Sequence, residues 1–153
     1  MYLIRGKHNL GLFQSRYPNV RLSGTIGNFD GLHIGHQAIL DKIKKNSKKY
    51  NSKTIVFFTE PHAAEYFSKQ RDKNKNLPPR ICPWREKVKL LKKSDIDFAF
   101  FLKFNNSLRT MLPNDFISQI LDSINFVTFT VGDDFRFGAC LLYTSDAADD
   151  LLC

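Results

Sequence analysis

The 153-residue sequence predicts an α/β fold with a mainly parallel, Rossmann-like sheet, and three observations carry that expectation. Strand-like and helix-like stretches alternate along the chain. One strand-like run, Thr54-Ile55-Val56-Phe57-Phe58, is continuously apolar after its first residue, as expected of a strand covered on both faces by helices. A Gly-punctuated stretch from Gly27 to Gly35 joins a strand pattern directly to a helix pattern, so a ligand there meets a helix N-terminus.

Taken in order, residues 1–21 read as a lead-in with a loop around Tyr17-Pro18-Asn19. A strand is expected from Leu22 to Ile26. A helix is expected from about Ile34 to Lys49, with Ala38, Ile39 and Ile43 at spacings that make an inward stripe. The apolar strand 54–58 follows and ends on Thr59-Glu60-Pro61-His62-Ala63. Residues 68–80, rich in Lys, Arg, Asn and Pro, read as a long polar loop. Pro83 suits the first turn of a helix and Glu86 suits its dipole, with Val88, Leu90 and Leu91 as its apolar positions. Trp84 there either covers a ligand or packs into the core. A third strand is expected at Phe98–Leu102. A helix is expected from about Pro113 to Ser123, and a fourth strand from Phe126 to Val131, running into Gly132-Asp133-Asp134-Phe135-Arg136-Phe137-Gly138.

Composition narrows the function classes. A hydrophobic fraction of 42% belongs to a globular chain with a core. No apolar run approaches a membrane span, and Met1 to Lys7 lacks a signal-peptide core, so no membrane partner and a cytoplasmic location are expected. The net charge of +8 raises a nucleic-acid reading. The cluster Lys42, Lys44, Lys45, Lys48 and Lys49 sits at a helix C-terminus, where it favours the dipole as a solvated face, and no aromatic–basic stripe accompanies it. No nucleic acid is therefore expected. Cys82, Cys140 and Cys153 show neither metal-ligand spacing nor a disulfide framework, and Cys82 reads as a reduced core thiol. His8 reads as a surface or packing residue.

The chemistry concentrates in Gly27-Asn28-Phe29-Asp30-Gly31-Leu32-His33-Ile34-Gly35-His36. His33 and His36 are three apart where a helix begins, which puts both on one face. Gly35 between them has no side chain, so a ligand can approach the backbone. Unpaired N–H groups, the positive helix end and two imidazoles together suit nucleotide phosphates. The plainer alternative is a pair of ordinary helix-cap histidines or a chance metal pair.

This stretch matches G-x-F-D-G-x-H-x-G-H, and the chain thereby resembles the FMN adenylyltransferase (FAD synthetase) domain of bacterial bifunctional riboflavin kinase/FMN adenylyltransferases, within the HxGH nucleotidyltransferase superfamily. The H-x-G-H core is shared with other nucleotidyltransferases, and Gly27, Phe29, Asp30 and Gly31 narrow it. Ile4-Arg5-Gly6 and His8-Asn9-Leu10 resemble the family's opening segment, and Arg80 to Lys87 resembles its R-L-T-x-x-x-E-K segment. Gly132 to Gly138 carries its G-x-D-F-R-F-G motif. The resemblance implies transfer of AMP from ATP to FMN, giving FAD and pyrophosphate, with Mg²⁺ accompanying ATP. It implies His33 and His36 on the ATP phosphates and Gly27, Asn28, Phe29, Asp30, Gly31 and Gly35 around the nucleotide. It implies Pro61, His62, Asp134, Phe135 and Phe137 around the flavin, and Arg136 near the phosphates. Ala63 stands where the family often has a second proline. The metal ligands stay unassigned, with Asp30 the first candidate, and so does the oligomeric state.

The resemblance runs from about Ile4 to Ala139, and residues 1–139 are taken as the adenylyltransferase domain fragment. Residues 140–153 hold no Lys or Arg and continue nothing in the family, so they are expected to be a non-native tail. The family's second phosphate clamp and its riboflavin kinase domain are then absent, and weak or no activity is expected of the fragment. Two other functions fit parts of the pattern. One is an HxGH adenylyltransferase with a different acceptor, such as a pantetheine or nicotinamide phosphate. The other is a non-catalytic nucleotide- or nucleic-acid-binding module.

Overall fold

The structure is a computed structural model that describes residues 1–71 and 82–132. Five strands, β1 (Tyr2–Arg5), β2 (Leu22–Ile26), β3 (Lys53–Glu60), β4 (Phe98–Lys103) and β5 (Phe126–Thr130), form one sheet in the order β1-β4-β3-β2-β5. Every pairing is parallel. The helices are α1 (Leu10–Arg16), α2 (Ile34–Lys49), α3 (Ala63–Arg71), α4 (Trp84–Lys93), α5 (Asn106–Thr110) and α6 (Pro113–Phe116), and α6 runs into a π-helical turn at Ile117–Leu121. From β2 the chain steps to β3 and on to β4 in one direction, whereas β5 lies on the other side of β2. The winding reverses at β2, and parallel sheets hold ligands at the strand ends beside such a reversal.

The apolar strands alternate inward to both sheet faces, as strand geometry dictates. Ile55 and Phe57 of β3, with Phe98, Phe100 and Leu102 of β4, join one core, to which Phe13 of α1, Leu108 of α5 and Phe116 of α6 contribute. Val56, Phe58, Ala99 and Phe101 point the other way, against Leu40 and Ile43 of α2 and Leu91 of α4. Two buried faces explain why these strands read as unbroken apolar runs.

Several expectations need correction. Residues 1–21 hold a strand, a 3-10 turn at Lys7–Asn9 and a helix rather than a lead-in. β1 pairs with β4, and Phe13 is 1% exposed, so this segment belongs to the core. The polar composition of residues 68–80 suggested a loop, but α3 extends through Arg71; residues 72–80 lie outside the described residues. The helix expected from about Pro113 to Ser123 forms, but its second half is wound as a π-helical turn that ends at Leu121. The N–H of Asp122 reaches the carbonyl of Ile117 at 2.8 Å, a five-residue step, which keeps Phe116 and Ile120 buried and leaves Ile117 exposed. Among the described residues there are therefore five strands, not four.

Candidate active site

β2 ends where the winding reverses, and the chain enters a tight turn there. The Gly27 N–H donates to the Phe57 carbonyl of β3 at 3.1 Å, a last rung before the strand is left. Phe29, Gly31 and Leu32 then take positive φ, at 47°, 73° and 43°. Two of the three carry side chains, so the turn is strained. Buried packing holds it, since Phe29 is 0% exposed and Leu32 7%. Their side chains join the core beneath α2.

α2 begins immediately after this turn, with His33 as its N-cap in extended conformation. The His33 side chain makes no capping hydrogen bond to this helix end, and no acidic residue lies in the helix's first turn. The positive end of a 16-residue helix thus faces outward with its own backbone donors. The rings of His33 and His36 stack at 3.8 Å between centroids and 27° between planes. His36 also lies against the buried Phe29 ring at 4.9 Å. The sequence spacing does bring both imidazoles to one place, and Phe29 backs them. A Cβ on Gly35 would sit 3.3 Å from the His33 ring, so a glycine here lets that ring lie close over the helix turn.

The second wall comes from the end of β3. The chain leaves that strand through a cis Glu60–Pro61 bond, and His62 follows, its carbonyl accepting from the Tyr66 N–H at 3.0 Å to open α3. Thr59 Oγ1 lies 3.4 Å from Asn28 Oδ1. A cavity of about 810 Å³ opens at the C-terminal ends of β1, β3 and β4, lined in part by Arg5, Glu60, Trp84, Lys103, Asn105 and Met111. Trp84 packs edge-on against Phe101 at 5.7 Å, with the Arg5 guanidinium 4.8 Å over its ring. It therefore packs against the core, as one of its two expected roles had it, and also lines the cavity. His8 also borders this cavity, with Nε2 3.2 Å from Asn9 Nδ2.

The start of α4 braces the turn from behind. The Cys82 N–H donates to Asp30 Oδ1 at 2.9 Å, so this carboxylate anchors the loop. Cys82 itself is buried and free of any disulfide. Lys87 is 0% exposed, and its ammonium donates to the Asn28 carbonyl at 2.5 Å and to His62 Nε2 at 3.0 Å. Lys87 was not among the site residues expected from sequence. Its signal was nevertheless present: it shares a helix face with Trp84, Leu90 and Leu91, three or four residues away, where a lysine is out of place.

Thr25 pairs with Thr130 across β2 and β5, so Gly132 leaves β5 at the same end of the sheet as Gly27. The remainder of that motif, with Asp134, Phe135, Arg136 and Phe137, lies outside the described residues, as does the 140–153 tail. Among the described residues, no cluster of three or more His, Cys, Asp or Glu side chains is arranged to hold a metal, and no helix is long and apolar enough to cross a membrane.

A protein-family profile described as FAD synthetase matches residues 18–147. The chain is 38% identical over 140 residues to the bifunctional riboflavin kinase/FMN adenylyltransferase of Buchnera aphidicola subsp. Schizaphis graminum, covering 91% of this chain and 42% of that protein. It is 37% identical to the Escherichia coli K12 protein of the same description, with the same coverage. The chain thus spans about two fifths of the length of these relatives. A solved structure described as a macrolide-efflux protein from Streptococcus pneumoniae superposes with a TM-score of 0.70 over 90% of this chain and 43% of that one, at 20% identity, which is a likeness of fold alone.

Proposed function

The chain belongs to the FAD synthetase family, and from that premise we propose that its site transfers the adenylyl group of ATP to FMN, giving FAD and pyrophosphate. The observation that carries this reading is the pair of stacked imidazoles at the N-terminus of α2, where the sheet winding reverses. An oxygen of the FMN phosphate attacks the α-phosphorus of ATP. The new P–O bond forms as the bond to the bridging α–β oxygen breaks, and pyrophosphate leaves with that electron pair.

The protein's part is alignment and stabilisation of charge. His33 and His36 donate to the ATP phosphates alongside the backbone N–H groups of the first turn of α2. Gly27, Asn28, Phe29, Asp30, Gly31 and Gly35 shape the turn around the nucleotide. Pro61 and His62 wall the flavin side, and the adjoining 810 Å³ cavity has the size of a small-molecule site. Asp134, Phe135 and Phe137 are assigned to the flavin and Arg136 to phosphate, on the family motif alone. Mg²⁺ would accompany the triphosphate, held largely by ATP and water, and Asp30 is the first protein carboxylate that would assist.

The test is FAD formation by the chain and by His36→Ala. Loss of one phosphate donor is expected to lower turnover about 100-fold, with FMN affinity within about twofold. Unchanged turnover contradicts the role given to His36.

A further inference from the structure

We propose that Lys87 is a positioning residue of this site, a buried strut that locks the nucleotide turn to the flavin wall and fixes His62 as its Nδ1–H tautomer. The inference rests on the adenylyl-transfer reading for its ligands, but its geometry does not.

Lys87 is one of two charged side chains among the described residues that are buried, with Glu65 of α3 the other. Burying an ammonium is costly unless its surroundings supply electron density. Among its contacts are three electron-rich groups from three separate stretches of chain: the Asn28 carbonyl at 2.5 Å, His62 Nε2 at 3.0 Å and the Phe58 ring face at 5.3 Å. Such a shell is built for a cation rather than for a neutral amine.

Two consequences follow from donor and acceptor chemistry. An ammonium only donates, so His62 must present a lone pair at Nε2 and carry its proton on Nδ1. His62 is thereby held neutral, with a single N–H donor of defined position at the wall next to Pro61. Asn28 lies in the turn whose positive-φ residues need outside support. The Lys87 bond, with that of Cys82 to Asp30, supplies it from α4. One side chain therefore sets the geometry of both loops, and removing its amine should disturb both ligands at once. A residue serving only one loop should disturb one.

The experiment records long-range ¹H–¹⁵N spectra of the histidine rings in the 153-residue chain, with His62 assigned by His62→Asn. ATP and FMN affinities are then measured for the wild type, for Lys87→Met and for Lys89→Met, a control on the exposed face of α4. The expected wild-type signature is a protonated Nδ1 and a bare Nε2, with that preference relaxed in Lys87→Met. Lys87→Met is expected to bind both ATP and FMN about tenfold more weakly, the scale of one charge-assisted hydrogen bond, while Lys89→Met stays within about twofold. A wild-type His62 protonated on Nε2 overturns the proposal, as does a Lys87→Met chain that loses only one ligand or neither. If Lys87→Met does not fold, the wild-type tautomer alone decides. If the wild type binds neither ATP nor FMN, the functional reading fails, while the tautomer measurement still supports or overturns the strut.

Discussion

Phe29 has no polar atom to offer a substrate, yet the imidazole pair depends on it. Its ring is fully buried and supports His36 from beneath, and its backbone sits at φ 47°. Phe29→Ala should therefore lower stability by about 3–5 kcal/mol, the usual cost of emptying a buried aromatic site, and chemical denaturation would read it. A loss under about 1 kcal/mol would mean that the turn is held without it. The histidine pair is legible in the sequence itself: His33 and His36, three apart at a helix start, are expected side by side, and their rings do stack. Lys87 is legible only in part: its place on the apolar face beside Leu90 and Leu91 marks it as unusual, but a lysine in a basic helix otherwise reads as solvated, and only the fold shows where its amine goes. Asp30 is legible as part of the glycine turn but not in its observed contact, since its partner Cys82 is 52 residues away.

Among the elements, β5 departs furthest from a simple sequence pattern. Strict alternation in Phe126-Val127-Thr128-Phe129-Thr130 would send Phe126 and Phe129 to opposite faces. The register instead shifts between Leu22 and Ser23, which pair with Phe126 and Thr128. That bulge at Val127 brings both phenylalanines to the same core. Gly24 makes the space: a Cβ there would meet the Phe126 ring at 2.4 Å and Ile55 Cγ2 at 3.0 Å. Gly24→Ala should cost about 1–3 kcal/mol as overpacking, measured as a lower denaturation midpoint at unchanged slope; an unaffected midpoint would show that β2 and β5 are not in this contact. A bulge depends on the partner strand, so no pattern within β5 could announce it. The same holds for β1, whose four residues form a strand only because β4 offers a paired edge. The long strands and α2 are legible because their signal is internal, in two-faced apolar runs and a helical stripe.

At the scale of the molecule, the parallel order β1-β4-β3-β2-β5 delivers two stretches far apart in sequence to one edge of the sheet. Gly27 follows β2 and Gly132 follows β5, and these strands are neighbours. If the glycine turn serves the nucleotide and the motif after β5 serves the flavin, substitutions should separate the ligands. Asp134→Ala and Phe137→Ala should weaken FMN binding more than ATP binding, read by flavin fluorescence quenching and by calorimetry. Equal loss of both would indicate a folding defect. The central claim is the identity of the acceptor, and transfer of label from α-phosphate-labelled ATP tests it most directly. The chain is given labelled ATP, Mg²⁺ and, in separate reactions, FMN, nicotinamide mononucleotide or phosphopantetheine. The account predicts that the label the chain transfers, weak as the fragment's turnover is expected to be, appears in FAD and on neither other acceptor; label on nicotinamide mononucleotide or phosphopantetheine contradicts it.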